Sequence, residues 1–261
     1  MAAHDGPRSQ AEAPPARCAN LPRVSDPTTP QTYPQRLFRL PPTSKEIVLV
    51  RHGASLAHVP GEVHPLTEDG HGDPPLAPEG EEQARLVGER LALEPIRRIF
   101  VTTLRRTHQT AAPLVERLGL EPTVVHDLRE IHLGDWDGGE YRARIADRDP
   151  IIVRSFVEGR WDVIPGAEND EAFGERVWRG FQSVVDATDL GTLSVAVVHG
   201  GVVAEICRRI IGPDHGFAFL GCDNTSITRI VVHPEGHLRV RTFNDSAHLD
   251  RLRLHTEEEL V

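Results

Sequence analysis

The amino-acid sequence predicts an α/β fold, a three-layer α/β/α sandwich with a mostly parallel sheet and a helical lid insertion. Residues 47–50 (IVLV) and 195–198 (VAVV) are short apolar runs, as expected of strands buried on both faces. Helical segments with one apolar face alternate with such strands along the chain, which is typical of a parallel sheet covered by helices. The chain has 261 residues, of which 39% are hydrophobic, enough for one good-sized core.

The first strand, at 47–50, leads into a loop at 54–75 that is rich in Gly, Pro and His. Loops of this length are usually functional or mobile. A helix is expected to begin at Pro78, because proline suits a first helical turn and acidic residues follow it. One face of this helix is apolar and contains Ala84, Val87 and Leu91.

The next elements are a short strand at 99–101 and a helix at 105–118. Apolar residues recur in this second helix at helical spacing, and Gly119 is the expected C-cap. A third strand is expected to start at Val124 and to run into residues 128–130.

The second half of the folded region begins with an Arg-rich segment at 138–167, broken by Gly and Pro, which we interpret as the helical lid. One amphipathic helix follows the lid, and another follows the strand at 195–198 and stops at Gly212. Residues 227–232 and 238–243 are expected to form a hairpin at the sheet edge, a surface on which a second copy could dock as a homodimer.

The folded domain is expected to span residues 44–245. Residues 1–43 are rich in Pro and Ala and lack periodicity, which favours a disordered extension. Residues 246–261 form an acidic tail, which we expect to be solvated from His248 onward.

Charge and cysteine content exclude several classes of function. A formal net charge of −10 disfavours binding to nucleic acid or to an acidic membrane surface. No apolar run of about 18 residues and no export signal are present, which argues against a membrane protein. The cysteines, Cys18, Cys207 and Cys222, are too scattered for a disulfide framework or a zinc-thiolate site, so a cytoplasmic location is the default expectation.

Polar residues follow four predicted strand ends, and in open α/β sheets ligands bind at the carboxyl ends of the strands. The polar residues are Arg51 with His52, Arg105 with Arg106, Glu130, and His199. Guanidinium groups match pairs of phosphate oxygens, and histidine acts as a nucleophile or an acid near neutral pH. The sequence therefore predicts a phosphoryl-transfer site.

These segments resemble the motifs of the histidine phosphatase superfamily, the phosphoglycerate mutase-like proteins whose hallmark is RHG after the first strand. The resemblance covers about 200 residues, and the matching segments occur in the family's order. They are VRHG at 50–53, Pro75-Leu76 with Gly80 and Gln83-Ala84, TTLRRT at 102–107, Leu128-Arg129-Glu130 with Gly134 and Trp136, and VHGG at 198–201.

The resemblance implies a role for each residue. His52 would be the nucleophile that forms a phosphohistidine, with its second ring nitrogen bonded to a backbone carbonyl near Gly53. Arg51 and Arg106 would bind the phosphoryl oxygens, and a protonated His199 would be a third donor. Glu130 would protonate the leaving oxygen and then activate water.

Two further residues complete the implied phosphate-binding set, Ser55 and Gly200. We call the two arginines that would bind the phosphoryl oxygens the clamp. Arg105 is the alternative to Arg106 as its second member, but the family's spacing after leucine selects Arg106. The acidic residues Asp135 and Asp137 compete with Glu130, but they belong to a segment that resembles a structural turn of the family.

The chain departs from the family pattern after RHG, where Ala54 and His58 replace a glutamate and an asparagine. Their loss counts against mutase activity. The loop residues His58, His64 and His71 suggest a metal site, but their spacing does not place them on one helix face, and we predict no metal and no cofactor.

The sequence therefore predicts a metal-independent phosphatase that acts on a small phosphorylated metabolite. The alternatives are a cofactor-dependent phosphoglycerate mutase and a non-catalytic domain that binds phosphorylated ligands. The substrate would be selected by the loop at 54–75 and by the lid. Five lid arginines could meet an anionic part of the substrate or could simply face water: Arg142, Arg144, Arg148, Arg154 and Arg160.

Overall fold

The structure is a computed structural model, which describes residues 33–212 and 215–252. The chain divides into two units, residues 1–38 and 39–261. The described part of the first unit, residues 33–38, contains no helix or strand. The expected extension at 1–43 therefore lies mostly outside the described residues, as does the end of the expected acidic tail.

The second unit contains a six-stranded sheet with the strand order β3-β2-β4-β1-β5-β6. Strands β1 to β4 pair in parallel, β5 is antiparallel to β1, and β6 is antiparallel to β5. The expected mostly parallel sheet with an edge hairpin is thus confirmed. The strands are β1 (Lys45–Arg51), β2 (Ile96–Val101), β3 (Thr123–Val124), β4 (Leu193–Val198), β5 (Ile227–Val232) and β6 (Leu238–Asp245).

Helices cover both faces of this sheet and create a core on each side. Helices α1 and α2 pack with each other over one face, where Val48 and Val50 point. Helices α5 and α6 cover the other face, where Ile47 and Leu49 point. The helices are α1 (Pro78–Leu91), α2 (Arg105–Leu118), α3 (Glu140–Ala146), α4 (Pro150–Glu158), α5 (Asp170–Ala187) and α6 (Gly200–Ile211).

The two apolar runs lie side by side at the centre of the sheet. Their register aligns Val50 with Val197 and Arg51 with Val198. Because the two strands are parallel and end together, the residues that follow them, His52 and His199, emerge at the same edge.

The third strand is shorter than the sequence predicts. It contains only Thr123 and Val124, both exposed, and the chain then makes a 3-10 turn at His126–Leu128. Leu128 leaves the sheet and is fully buried in the core beside α5. Glu130 therefore lies on an irregular loop rather than at a strand end.

The lid segment contains α3 and α4, and its helical character is as expected. Of the described residues in the expected solvated tail from His248, Asp250 and Arg251 are exposed, whereas His248 is half-buried and Leu249 is buried. The side chain of Leu249 is 6% exposed, and His248 Nε2 lies 3.1 Å from Thr225 Oγ1. Within residues 33–212 and 215–252, no helix has the length and apolar character needed to cross a membrane.

Candidate active site

His52 lies directly beyond β1 and is almost completely buried. Its Nδ1 atom is 2.8 Å from the carbonyl oxygen of Gly53, which is the contact expected from the sequence. A carbonyl only accepts, so Nδ1 carries the proton and Nε2 keeps its lone pair. Arg106 Nε donates to that lone pair at 3.2 Å. Burial, then the charges of Arg106 and Arg51, lowers the pKa of His52 well below its usual value, which keeps the ring neutral at neutral pH.

Two helices hold the backbone that follows His52. Thr110 in α2 accepts a hydrogen bond from the amide of Gly53, and Gln83 in α1 accepts one from the amide of Ala54, each at 2.9 Å. Gly80 allows α1 to approach this closely, because a Cβ there would lie 1.9 Å from the carbonyl oxygen of Ala54. The resemblance between this part of α1 and the family motif therefore corresponds to a physical support of the loop.

The structure brings both predicted clamp arginines to His52. Arg106, in the first turn of α2, donates from Nη1 to the carbonyl oxygen of Gly72 at 2.9 Å. Burial lowers the pKa of Arg106 to about 10, so it remains a cation at neutral pH. Arg51 donates to the carbonyl oxygen of Cys222, while its Nε is buried and without a hydrogen-bond partner among the described residues. Such a donor is available to an anion.

His199 lies beside His52, with 5.2 Å between the ring centroids, and is fully buried. Its Nε2 is 3.0 Å from Thr102 Oγ1, and no hydrogen bond to its Nδ1 is found within the described part of the chain. Burial, then the charges of Arg106 and His52, holds the pKa of His199 well below its usual value. The protonated form expected from the sequence is therefore not the form that these surroundings favour, and a bound anion would have to stabilise it.

Glu130 is half-buried on the loop after the 3-10 turn and lines the same cavity as His52. Its Oε2 accepts a hydrogen bond from the amide of Gly201 in the first turn of α6, and its Oε1 accepts one from the amide of Ile131, both at 3.1 Å. The carboxyl group is thus held at the N-terminal end of α6. A Cβ at position 201 would lie 2.5 Å from Oε1, so Gly201 provides the space for this carboxyl.

The two remaining predicted phosphate ligands lie at the same site. Ser55 lines the cavity, but its Oγ accepts a hydrogen bond from Arg142 of α3 at 2.7 Å. Gly200 is the first residue of α6, and a Cβ at this position would lie 3.5 Å from Arg51 Nε. Both positions are close to the clamp, and their binding of phosphate stays a prediction.

The geometry separates the predicted residues from their competitors. Arg105 is exposed and does not line the cavity, and its guanidinium donates to the carbonyl oxygen of Asp73 at 2.8 Å. Asp137 lines the cavity, but it accepts hydrogen bonds from the amides of Gly72 and Leu133 and so supports the local backbone. Asp135 is exposed and does not line the cavity.

The loop histidines form ring contacts rather than a ligand cluster. His58 packs against His64 with 5.7 Å between centroids, and His71 packs against His132 at 4.7 Å. Among the residues that the structure describes, no group of three or more His, Cys, Asp or Glu side chains could hold a metal ion.

Sequence reasoning assigned no role to two residues that complete the site. Thr102 directly follows β2 and contacts His199, and it could have been indicated by its position after a strand and by the segment 102–107 that resembles a family motif. Asn224 donates from Nδ2 to the carbonyl oxygen of His52 at 2.8 Å. It lies in a loop without any sequence pattern, so nothing in the sequence signals this contact.

A cavity of about 310 Å³ lies at the carboxyl edge of the parallel strands, and Arg51, His52, Arg106 and Glu130 line it, whereas His199 lies behind His52 and does not. Three arginines, Arg51, Arg106 and Arg142, outnumber the two carboxylates in the lining, and Trp136, Tyr141 and Trp161 form part of the wall. Fold and site together define an α/β domain with a buried histidine beside an arginine-lined pocket.

Comparison with known proteins gives the family. The model of the histidine phosphatase superfamily (branch 1) matches residues 47–246, and the chain belongs to this superfamily. It is 34% identical over 168 residues to phosphoglycerate mutase-like protein 4 of Arabidopsis thaliana, covering 63% of this chain and 70% of that protein. It is 29% identical over 211 residues to the probable phosphoglycerate mutase GpmB of Salmonella choleraesuis, covering 78% and 95%.

Among solved structures, a mycobacterial glucosyl-3-phosphoglycerate phosphatase is similar with a TM-score of 0.64 and 27% identity, covering 78% of this chain and all of that one. The chain is thus a member of the histidine phosphatase superfamily, and its structural neighbours include a phosphatase.

Proposed function

We propose that this protein is a metal-independent phosphomonoester hydrolase that acts through a phosphohistidine at His52. The observation that carries the proposal is the state of the His52 ring. Its Nδ1 is bonded to the carbonyl oxygen of Gly53, its Nε2 faces Arg106, and burial lowers its pKa. A neutral imidazole with one lone pair among guanidinium groups is a nucleophile for a dianionic phosphate ester.

In the first step, a phosphoryl oxygen replaces His52 Nε2 as the acceptor of the Arg106 Nε hydrogen bond, the freed Nε2 attacks phosphorus, and the bond between phosphorus and the ester oxygen breaks. Arg51 and Arg106 bind the phosphoryl oxygens, which carry the charge of the transition state. His199 donates a third hydrogen bond once the anion favours its protonated form. Glu130 transfers its proton to the leaving oxygen, so the alcohol leaves neutral.

In the second step, the Glu130 carboxylate removes a proton from a water molecule, and the resulting hydroxide attacks phosphorus. The bond between phosphorus and Nε2 breaks, inorganic phosphate leaves, and His52 returns to its neutral state. Glu130 is protonated again and ready for the next ester.

The substrate that the pocket favours is a small phosphorylated metabolite. The cavity of about 310 Å³ has room for the phosphoryl group and a short organic part. Arg142 donates to Ser55 Oγ and to the carbonyl oxygen of Leu56. Both partners are uncharged, so these contacts do not neutralise its positive charge, which can meet an anionic part of the substrate. Three of the other lid arginines form ion pairs with carboxylates, namely Arg144, Arg154 and Arg160.

A phosphoglycerate mutase is the second candidate, because the names of two relatives carry this activity. In that reaction the product stays in the pocket and receives the phosphoryl group back from His52. The absence of glutamate at Ala54 and of asparagine at His58 supports hydrolysis instead. Incubation with a phosphoglycerate separates the two, since a mutase yields the isomer and a phosphatase yields inorganic phosphate.

The direct test is His52→Ala, assayed with p-nitrophenyl phosphate in the presence of a chelator. We expect a loss of about 10³-fold or more in kcat, because no other group replaces the nucleophile. The parent enzyme, quenched during turnover, should carry an acid-labile phosphoryl group that His52→Ala lacks.

His237→Ala, in the exposed turn of the edge hairpin, is the control and should retain full turnover. Normal turnover by His52→Ala would refute the mechanism. Phosphate binding by the parent protein without turnover of any ester would instead support a non-catalytic domain.

A further inference from the structure

The loop that carries Glu130 has little support from regular structure. It follows the 3-10 turn at His126–Leu128, and residues 129–133 belong to no helix or strand. The edge strand β3, which precedes the turn, has only two residues. A general acid must be held within about 0.5 Å of its productive position beside the leaving oxygen, so other contacts must fix this loop.

A single guanidinium, that of Arg176 in α5, binds the backbone of this loop. Its Nη1 donates to the carbonyl oxygens of Asp127 and Arg129 at 3.0 and 2.7 Å. Its Nη2 donates to the carbonyl oxygen of Glu130 itself at 2.9 Å. One side chain thereby fixes three carbonyl groups that lead to and include the residue of the general acid.

The same guanidinium also reaches the other flank of Glu130 through Glu168. Arg176 Nε and Nη2 donate to the two carboxylate oxygens of Glu168, each at 2.7 Å. Glu168 in turn exchanges hydrogen bonds with the backbone of His132, whose amide donates to Oε2 at 3.3 Å and whose carbonyl accepts from the Glu168 amide at 2.8 Å. The pair therefore holds the loop on both sides of residue 130.

The position of Arg176 leaves little freedom for this pair. Its side chain is 13% exposed, and its guanidinium stacks on the ring of Phe173 at 4.9 Å. Phe173 also lies against Gly201, the residue whose amide binds the Glu130 carboxylate. Backbone and carboxyl of Glu130 are therefore held by neighbouring parts of α5 and α6.

We propose that Arg176, with Glu168, is a positioning residue that aims the Glu130 carboxyl at the leaving oxygen. The inference rests on the proposed function, in which Glu130 is the general acid. Arg176 touches neither substrate nor the reacting atoms in this assignment. Its loss would let the loop shift, and misplacement by about 1 Å can cost about 10²-fold in rate.

The leaving group distinguishes this role from a structural one. An alkyl phosphate releases a basic alkoxide and needs a proton from Glu130, whereas p-nitrophenolate is a stable anion that leaves without one. Displacement of the Glu130 carboxyl should therefore lower kcat/KM for an alkyl phosphate much more than for p-nitrophenyl phosphate. In a reaction with a covalent intermediate, kcat/KM reports the steps up to release of the alcohol, so slow hydrolysis of the phosphohistidine does not disturb the comparison.

The experiment measures the ratio of kcat/KM for a simple alkyl phosphate to that for p-nitrophenyl phosphate, on the same preparation. This ratio does not depend on the fraction of protein that is folded, so destabilised variants stay informative. The variants are Arg176→Lys, Arg176→Met and Glu168→Gln, with Glu130→Gln as the reference for complete loss of the acid. Arg179→Ala is the matched control, since Arg179 lies one turn along α5 and is paired with the Asp127 side chain at 3.3 Å.

We expect the ratio to fall by about tenfold or more in Arg176→Met, less in Arg176→Lys and Glu168→Gln, and not at all in Arg179→Ala. An equal loss on both substrates in the Arg176 variants, with a lowered ratio in Glu130→Gln, would overturn the positioning role alone. An unchanged ratio in Glu130→Gln would overturn the assignment of Glu130 and this inference with it.

Discussion

Two neighbouring arginines at the start of α2 have opposite surroundings. Arg106 is almost fully buried and donates to His52 Nε2, whereas Arg105 is exposed and bound to Asp73. Only one of them can therefore bind the phosphoryl group. The sequence allowed a choice between them, because the family pattern places the phosphate-binding arginine two positions after leucine, and Arg106 follows Leu104 at that spacing.

Substitution of each arginine by alanine tests this difference. We expect Arg106→Ala to lose about 10²–10³-fold in kcat/KM for p-nitrophenyl phosphate, the size of effect seen when one donor to a developing negative charge is removed. Arg105→Ala, the matched control, should stay within about threefold of the parent, because an exposed ion pair contributes little. Equal losses in the two variants would contradict the assignment.

Residues that act through the backbone could not be predicted in this way. Asn224 and Arg176 support the site by donating to carbonyl oxygens of His52 and Glu130. Any residue offers such a carbonyl, so the contact leaves no pattern in the sequence. Such supporting contacts arise from the tertiary arrangement and became visible only in the structure.

The contact between α1 and the loop after β1 shows how an element shapes the site. Gly80 faces the backbone of Ala54, and a methyl group at position 80 would overlap its carbonyl oxygen. We expect Gly80→Ala to lower the free energy of unfolding by about 1–3 kcal/mol, the usual effect of overpacking, although alanine is the better helix former. Urea denaturation measures this change.

The same substitution should also lower phosphatase activity, because α1 can avoid the overlap only by moving Gln83 away from the amide of Ala54. Gly212→Ala is unsuitable as a control, because Gly212 has a positive φ of 81° and alanine there would strain the backbone. Ala92→Gly at the end of α1 changes helix propensity without touching the loop and should leave activity intact. A Gly80→Ala enzyme with parental stability and turnover would show that the loop tolerates the shift.

Elements with strong periodicity were predictable, and the short irregular ones were not. The sequence indicated α2 with its observed bounds, since its apolar spacing and Gly119 define both face and end. It overestimated β3, because β-branched residues favour a strand wherever they occur. At the sheet edge, burial of Leu128 beside α5 competes with extension of β3 and directs the chain out of the sheet. The sequence of the strand alone does not show this tertiary contact.

For the molecule as a whole, net charge and local charge have opposite signs. The chain has a formal net charge of −10, yet three arginines line one cavity. The three arginines come together because the C-terminal end of β1, the first turn of α2 and the lid helix α3 lie at one edge of the sheet. Composition argued against polyanionic partners, whereas the polar residues after the strand ends and the order of motifs pointed to a pocket for a single small anion.

Buried histidines also make the stability of the whole molecule depend on pH. His71 is 6% exposed and packs against His132. Burial, then the charge of Arg129, lowers the pKa of His71 to about 4, although Asp137 and Asp69 act in the opposite direction. The free imidazole has a pKa of about 6.5, so between these values the unfolded chain binds a proton that the folded protein does not.

The free energy of unfolding should therefore fall as the pH is lowered from about 6.5 toward 4, by up to about 1.4 kcal/mol per pH unit for each such histidine. His52 and His199 act with the same sign, because burial lowers their pKa as well. His71→Gln removes one of these groups and should make the slope of unfolding free energy against pH shallower in urea titrations. His237→Gln, which changes an exposed histidine, is the control and should keep the parental slope. An equally steep slope in His71→Gln would show that protonation of His71 does not lower the free energy of unfolding.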